Sequence, residues 1–215
     1  MNTRITLIIS SILLLVAILA GMALWARLPE QMASHWNEAD QVDGYMSRFW
    51  GIFLMPIVAA GMLLLFLVIP QIDPLKANIA KFRGYFNTFI LLFMIFLLYM
   101  HGLTLAWNLG YNQFRMGAAM LPALGLFFIY AGVMISKARR NWFIGIRTPW
   151  TLSSDKVWDE THRLGSKMFI GAGVLSLLGV FFPDYMLWFF MIPIFGAALV
   201  PVVYSYILFR REEKT

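Results

Sequence analysis

The chain has 215 residues, of which 60% are hydrophobic and only 13% are charged. That charged share is about half of what an ordinary soluble domain carries, so the composition predicts an integral membrane protein. Because the sequence contains no cysteine, it excludes disulfides, thiol nucleophiles and cysteine-ligated metals. The formal net charge of +6 says little by itself, since the positions of lysine and arginine matter more in a membrane protein than their sum.

Apolar runs recur along the chain, each near the ~20 residues that a helix needs to cross the hydrocarbon core. They predict an all-α membrane protein, a bundle of six transmembrane helices. The first run is longer than the apolar core of a signal peptide, which favours a retained helix. The predicted spans are 5–25, 52–69, 85–107, 116–136, 164–182 and 185–209.

The distribution of lysine and arginine orients this bundle. With both termini in the cytoplasm (N-in/C-in), 14 of the 17 basic residues lie inside, as the positive-inside rule requires. Two long polar connections then face opposite sides: an outer segment, 27–50, and an inner segment, 137–163. We divide the chain into an N-terminal module (1–70), a central helical hairpin (71–136) and a C-terminal module (137–215).

The outer segment reads "RLPEQMASHWNEADQVDGYMSRFW". Asp43-Gly44 is a turn signal, so the residues around it form either a short hairpin or a loop on the outer surface. A metal site is not expected, because His35 would be the one nitrogen ligand and no ligand-type spacing accompanies it. Nor does a nucleophile or oxyanion feature support catalysis, so we expect no cofactor and no enzyme here.

The predicted spans offer few polar groups for moving an ion. His101 lies toward the outer end of the third span, and a hydrogen-bonded histidine is favoured over a proton relay because no carboxylate partner lies within the spans. A transporter or channel for a small or lipidic substrate is the alternative function. It would need a cavity lined by polar groups such as Asn87, Asn108 and His101.

The inner segment contains "RNWFIGIRTPWTLSSDKVWDETHR" at 140–163. Gly145 and Pro149 break any helix across it. A new helix is expected to begin near Asp155, amphipathic and leading into the fifth span, capped by Thr151, Ser153 or Ser154. The tryptophans are either anchors at the membrane interface or part of a docking surface; composition alone leaves both interpretations open.

"IGIRTPWTLSSDKVWDETHRLGSK" resembles the signature of the SdpI family of multi-spanning bacterial membrane proteins. "LPEQMASHWN" followed by "VDGY" is similar to an uncharacterised N-terminal module common in that family. The resemblance implies a non-enzymatic immunity protein of the bacterial cytoplasmic membrane, which gives resistance to a secreted, membrane-active peptide toxin. In the founding system the immunity protein also performs signal transduction, holding a cytoplasmic transcriptional repressor at the membrane when toxin is present.

The expected partners are therefore the lipid bilayer, a peptide toxin outside and a repressor inside, with no direct nucleic-acid contact. Topology assigns each partner a set of residues that carry the resemblance. The inner, repressor-facing set is Gly145, Arg147, Thr148, Pro149, Trp150, Thr151, Trp158, Thr161, His162 and Arg163. The outer, toxin-facing set is Pro29, His35, Trp36, Asn37, Asp43 and Gly44.

Overall fold

A computed structural model describes residues 1–214 of the chain. This part of the chain forms seven α-helices and one antiparallel pair of strands. Their bounds are α1 (Thr3–Leu24), β1 (Gln31–Trp36), β2 (Val42–Ser47), α2 (Arg48–Ile72), α3 (Lys76–Asn108), α4 (Met116–Lys137), α5 (Pro149–Ser153), α6 (Asp155–Gly179) and α7 (Met186–Glu212).

Five helices are long and apolar enough to cross a membrane by length and composition. They are Thr3–Arg27, Arg48–Ile72, Lys76–Asn108, Met116–Lys137 and Pro183–Glu212, the first and last including a short 3-10 turn. Each coincides with one predicted span. The polar connections therefore fall where the sequence indicated.

The predicted fifth span, 164–182, lies in α6, which is not among those five helices. The expected interfacial helix and this span are one continuous 25-residue helix, and its first turns are charged. Ser154 caps α6 by accepting a hydrogen bond from the Val157 amide at 3.3 Å, and Asp155 places a carboxylate in the first turn. Because these charges begin the helix, α6 is amphipathic at one end and apolar at the other.

The all-α prediction is wrong in the outer segment, where β1 and β2 form a hairpin. The turn is not at Asp43-Gly44, which lies within β2, but at residues 37–41. There the Asn37 side chain accepts hydrogen bonds from the amides of Ala39 and Gln41 at 3.0 and 2.9 Å. Gly44 pairs with His35 beside a bulge, and a Cβ at Gly44 would lie 2.8 Å from the His35 Cβ. The glycine thus serves the close approach of the strands.

Side-chain hydrogen bonds hold this hairpin against the bundle. Asn108 is at the end of α3. Its side-chain Oδ1 accepts a hydrogen bond from the backbone amide of Ala33 at 2.8 Å, and its Nδ2 donates to the Ala33 carbonyl at 3.0 Å. At the turn, Asp40 accepts from the Gly117 amide at 2.7 Å, at the start of α4, and from Arg115 Nε at 2.9 Å. These bonds make the hairpin a fixed cap over the ends of α3 and α4.

Glycines let α4 and α6 pack with their backbones close together. A Cβ at Gly125 would lie 2.8 Å from the Gly173 carbonyl oxygen, and a Cβ at Gly173 would lie 2.5 Å from the Gly125 carbonyl oxygen. Small residues of this kind drive helix association in membranes, where burial from water contributes little. Gly171, two residues away on α6, has no atom within 4 Å of its Cβ position.

We expect Gly173→Ala to destabilise the protein while Gly171→Ala does not. The added methyl at 173 forces the two helix backbones apart, at a cost of about 1–3 kcal/mol. The methyl at 171 enters open space and favours the helix by up to about 1 kcal/mol. Thermal unfolding of the two variants in detergent measures the difference. Equal midpoints for both would contradict this account of the α4–α6 contact.

Candidate functional site

The connection between α4 and α5, residues 138–148, contains no regular helix, and one buried amide organises its first half. Asn141 is fully buried, and its Nδ2 donates to the carbonyls of Arg139 and Ile144, both at 2.8 Å. Its Oδ1 accepts from the amides of Phe143 and Ile144 at 2.9 and 2.6 Å. Every hydrogen-bonding position of the side chain is used, which fixes the turn at 139–144.

Two polar residues, one in the turn between α2 and α3 and one in the first turn of α3, tie this connection to the bundle. Asp73 is buried, and its Oδ2 accepts from the Trp142 amide at 2.9 Å while its Oδ1 accepts from the Leu75 amide at 2.6 Å. Asn78 donates to the Arg140 carbonyl at 2.9 Å. The sequence analysis missed both residues. The one local signal is the Asp-Pro pair at 73–74, which marks a turn but does not point to residue 142.

His162 on α6 holds the second half of the connection. Its Nε2 accepts a hydrogen bond from the Ile146 amide at 3.0 Å, and its Nδ1 lies 2.8 Å from the Trp158 carbonyl oxygen. A neutral ring protonated on Nδ1 satisfies both contacts. The ring also stacks on Trp158, with centroids 3.9 Å apart. Burial lowers the pKa of His162 to about 4, against the opposing effect of the hydrogen bond to Trp158.

Gly145 is required where the connection passes over this stacked pair. Its φ is +116°, a conformation that favours glycine, and a Cβ there would collide with His162 Nε2. Beneath it, Trp158 is buried, and its indole Nε1 donates to the Ala138 carbonyl at 3.0 Å. The tryptophan that could have been an interface anchor is instead a core residue.

Thr148 and Thr151 form a reciprocal cap on the short helix α5. The Thr148 hydroxyl accepts from the Thr151 amide at 3.1 Å, and the Thr151 hydroxyl accepts from the Thr148 amide at 2.9 Å. Thr148 also lies 3.0 Å from the Ser205 hydroxyl on α7. Thr151 was expected as a possible cap of the helix near Asp155, but Ser154 has that position.

Exposure divides the inner set into supporting residues and surface residues. Arg147, Pro149 and Arg163 are exposed, while Trp150 is partly buried against Tyr206 of α7, with ring centroids 5.0 Å apart. Trp142 is 51% exposed; the sequence analysis left it open as a membrane anchor or a docking residue and did not include it in the inner set. The remaining members lie beneath this surface: Gly145, Thr148, Thr151, Trp158, Thr161 and His162.

The outer set divides in the same way. His35 Nδ1 lies 2.5 Å from Asp43 Oδ1 on the exposed face of the hairpin. Trp36 instead packs edge-on against Trp107 of α3, with ring centroids 5.4 Å apart. Pro29 is exposed, whereas Asn37 and Gly44 shape the hairpin as described above. Within residues 1–214, no group of three histidine, aspartate or glutamate side chains is placed to hold a metal ion.

The two surfaces lie at opposite ends of α3. Asn78 contacts the inner segment and Asn108 contacts the hairpin; 30 residues of α3, kinked at Phe82, separate them, which is at most about 45 Å at 1.5 Å per residue. The two asparagines that were candidates to line a transport cavity, Asn87 and Asn108, instead form hydrogen bonds with backbone groups of the protein. Asn87 donates to the Met1 carbonyl at 3.0 Å, and Asn108 clamps the hairpin. The hydrogen bond expected for His101 is not found: its ring is buried, and Nε2 has no partner in the described chain.

The lowered pKa of His162 predicts that acid weakens the inner segment. The neutral ring is favoured in the folded state, so its contribution is complete above the unfolded pKa of about 6.5 and is lost as pH falls toward 4. We expect a loss of about 2 kcal/mol by about pH 5. Thermal unfolding in detergent at about pH 7.5 and pH 5 measures it.

His162→Phe is the matched variant, because it retains a flat ring on Trp158 but cannot titrate. It should be less stable at neutral pH, since the Ile146 amide loses its acceptor, and its stability should change less on acidification. An equal acid-induced drop in both proteins would show that His162 does not carry the effect.

Comparison with known proteins gives matches that cover both ends of the molecule. Residues 137–205 match the SdpI/YfhL protein family, and residues 12–60 match a domain of unknown function, DUF1648. The chain is 27% identical to "Immunity protein SdpI" of Bacillus subtilis (strain 168) over 205 residues, which cover 95% of this chain and 96% of that protein. No solved structure gives a significant match. With its five apolar helices the chain is a multi-pass bacterial plasma-membrane protein, and its residues 137–205 are similar to the SdpI/YfhL protein family.

Proposed function

We propose that this protein is a membrane immunity protein that protects a bacterium from a secreted, membrane-active peptide. The observation that carries the proposal is the similarity to an immunity protein along 95% of the chain, which includes both the outer hairpin and the inner segment. We propose further that it acts by binding and not by catalysis. The structure supports this with two rigid, separate surfaces, one at each end of α3.

The proposal requires α6 to complete a bundle of six spans with both termini in the cytoplasm. α6 begins beside the inner segment and ends beside the outer end of α4, where a Cβ at Gly179 would meet Leu121 at 3.3 Å. α7 returns, and its C-terminal half contacts the inner segment again through Ser205 and Tyr206. A helix pair with these contacts runs the length of the bundle. Five spans would instead place the basic C-terminus outside, against the positive-inside rule.

Single cysteines test this topology cleanly, because the natural chain has none. We expect Tyr45→Cys in the hairpin and Asp184→Cys in the turn before α7 to react with a membrane-impermeant maleimide in intact cells. Ser153→Cys, before α6, should react only after permeabilisation. All three positions are exposed. Labelling of positions 153 and 184 from the same side would show that α6 does not cross.

We place the toxin-facing surface on the exposed face of the hairpin. The His35–Asp43 pair projects there, and Tyr45, which is 64% exposed and which the sequence analysis did not place in the outer set, adds an exposed aromatic ring to the same strand. Exposed aromatic and charged side chains on a fixed strand pair are well suited to contact a peptide, because little ordering entropy is lost on binding. The Asn108 and Asp40 contacts keep that face in place.

Expression in a sensitive strain challenged with membrane-active peptides measures protection. The natural chain should raise the lethal concentration of one such peptide. With the double variant His35→Ala/Asp43→Ala, the lethal concentration should be about tenfold lower than with the natural chain. Glu38→Ala, an exposed change in the turn of the same hairpin, should retain it. Failure of the natural chain to protect against any peptide of the panel would reject the immunity function.

We place the repressor-facing surface on the exposed part of the inner segment, around Trp142 and Arg147. Arg147 Nη1 donates to the Trp142 carbonyl at 2.9 Å, so the two residues form one exposed patch at the end of the bundle. Trp and Arg are the residues most enriched among binding hot spots. The buried network beneath them fixes the backbone that presents both side chains.

Transcription of the protein's own operon measures this second activity. Toxin should induce it in cells with the natural chain, and Trp142→Ala/Arg147→Ala should abolish induction while protection persists. Lys156→Ala, an exposed change on α6 outside the patch, should leave both intact. Normal induction in the double variant would assign repressor contact to another surface.

A further inference from the structure

A basic cleft opens beside the inner segment, between the start of α3, the end of α4 and the first turns of α6. Its volume is about 610 Å³. Asp159 is the one acidic residue along its wall. Five basic side chains line it: Lys81, Lys137, Arg139, Arg163 and Lys167. Neither the immunity function nor the hydrogen-bond network of the inner segment uses Lys137 or Lys167.

The positive charge of this cleft is only partly neutralised. Arg139 lies 3.5 Å from Asp159, and Arg163 lies 3.3 Å from Glu160. Lys137 and Lys167 are exposed and have no carboxylate within ion-pairing distance among residues 1–214. Lys137 Nζ lies 5.9 Å from the centre of the Tyr85 ring, whose face it covers. The cleft therefore retains an excess of positive charge next to an aromatic residue at the end of two spanning helices.

An apolar groove lies next to this cleft, along the seam between α3 and α4. Its volume is about 530 Å³, and its wall includes Leu92 and Tyr99 of α3 and Leu126 of α4. Seven-residue steps place Tyr85, Leu92 and Tyr99 on one face of α3. Tyr130, which lines the groove, donates a hydrogen bond to the Tyr85 carbonyl at 3.2 Å, and Tyr85 lines the cleft. The basic cleft and the apolar groove are thus neighbours along one seam.

We propose that this seam binds one anionic glycerophospholipid, with its phosphate held by Lys137 and Lys167 and an acyl chain in the α3–α4 groove. A basic pocket at the end of spanning helices is complementary to an anionic headgroup, and the adjoining groove is complementary to its hydrocarbon. A free phosphate ion would use only the first half of the site. In the proposed orientation the lipid comes from the cytoplasmic leaflet, but binding itself does not depend on the immunity function.

Lipid binding to the purified full chain tests the charged half. Native mass spectrometry should show retention of phosphatidylglycerol in preference to phosphatidylcholine. Lys137→Gln and Lys167→Gln should each weaken phosphatidylglycerol binding about fivefold. Lys156→Gln removes an equal charge from an exposed position on α6 outside the cleft and should have no effect. Equal retention of the two lipids, or an equal loss in all three variants, would overturn the proposal.

A second pair of variants tests the apolar half without touching a charge. Leu126→Trp fills the groove from an exposed position and should weaken phosphatidylglycerol binding, while Leu199→Trp, on an exposed face of α7, should not. Inorganic phosphate should neither displace the lipid nor raise the unfolding temperature. Unchanged binding in Leu126→Trp, or stabilisation by phosphate equal to that by the lipid, would overturn the assignment of the site to a phospholipid.

Discussion

A backbone amide or carbonyl that is buried beside a membrane needs a partner inside the protein, because no water is there to replace it. The helices meet this requirement by themselves. The irregular connection at 138–148 cannot, and it follows directly after the spanning helix α4. Three side chains supply the missing partners: Asn141 from within the connection itself, Asp73 from the α2–α3 turn, and His162 from α6. These three residues hold the backbone that presents the exposed side chain of Trp142.

The same physical solution appears at the other end of the molecule. There the Asn108 side chain forms hydrogen bonds with both the amide and the carbonyl of Ala33. The Asp40 carboxylate accepts a hydrogen bond from a backbone amide in the first turn of α4, which has no partner within the helix. In both places an amide and a carboxylate join a non-helical segment to a helix end. Each end of the bundle consequently presents a surface whose backbone is held by side-chain hydrogen bonds.

Local features of the sequence predicted much of the fold. Spans are set by about 20 consecutive apolar residues, so their positions agree with the helices even where the ends differ by several residues. The hairpin turn was misplaced because Asp-Gly is a strong local turn signal, whereas the actual turn depends on the Asn37 side chain and on Asp40 with φ +58°. The amphipathic helix expected near Asp155 was predicted to lead into the fifth span, and α6 is accordingly one continuous helix.

The site was less predictable than the fold, because the residues that carry the family resemblance include both buried supporting residues and exposed surface residues. Similarity identified Gly145, Trp158 and His162 together with Arg147, but it cannot separate the buried supports from the exposed surface. That distinction rests on contacts between distant parts of the chain, such as Asp73 with Trp142. A resemblance marks which residues belong together, and only the fold shows which of them a partner can reach.

The central claim is that the inner segment is rigid because buried side chains bind its backbone. Hydrogen exchange of residues 140–148, followed by mass spectrometry on the detergent-solubilised protein, tests it most directly. The amides of Trp142, Ile144 and Ile146 should exchange as slowly as those of α6, and Asn141→Ala should accelerate exchange across the first half of the segment. Complete exchange of the natural segment within seconds, as in an exposed loop, would contradict the account.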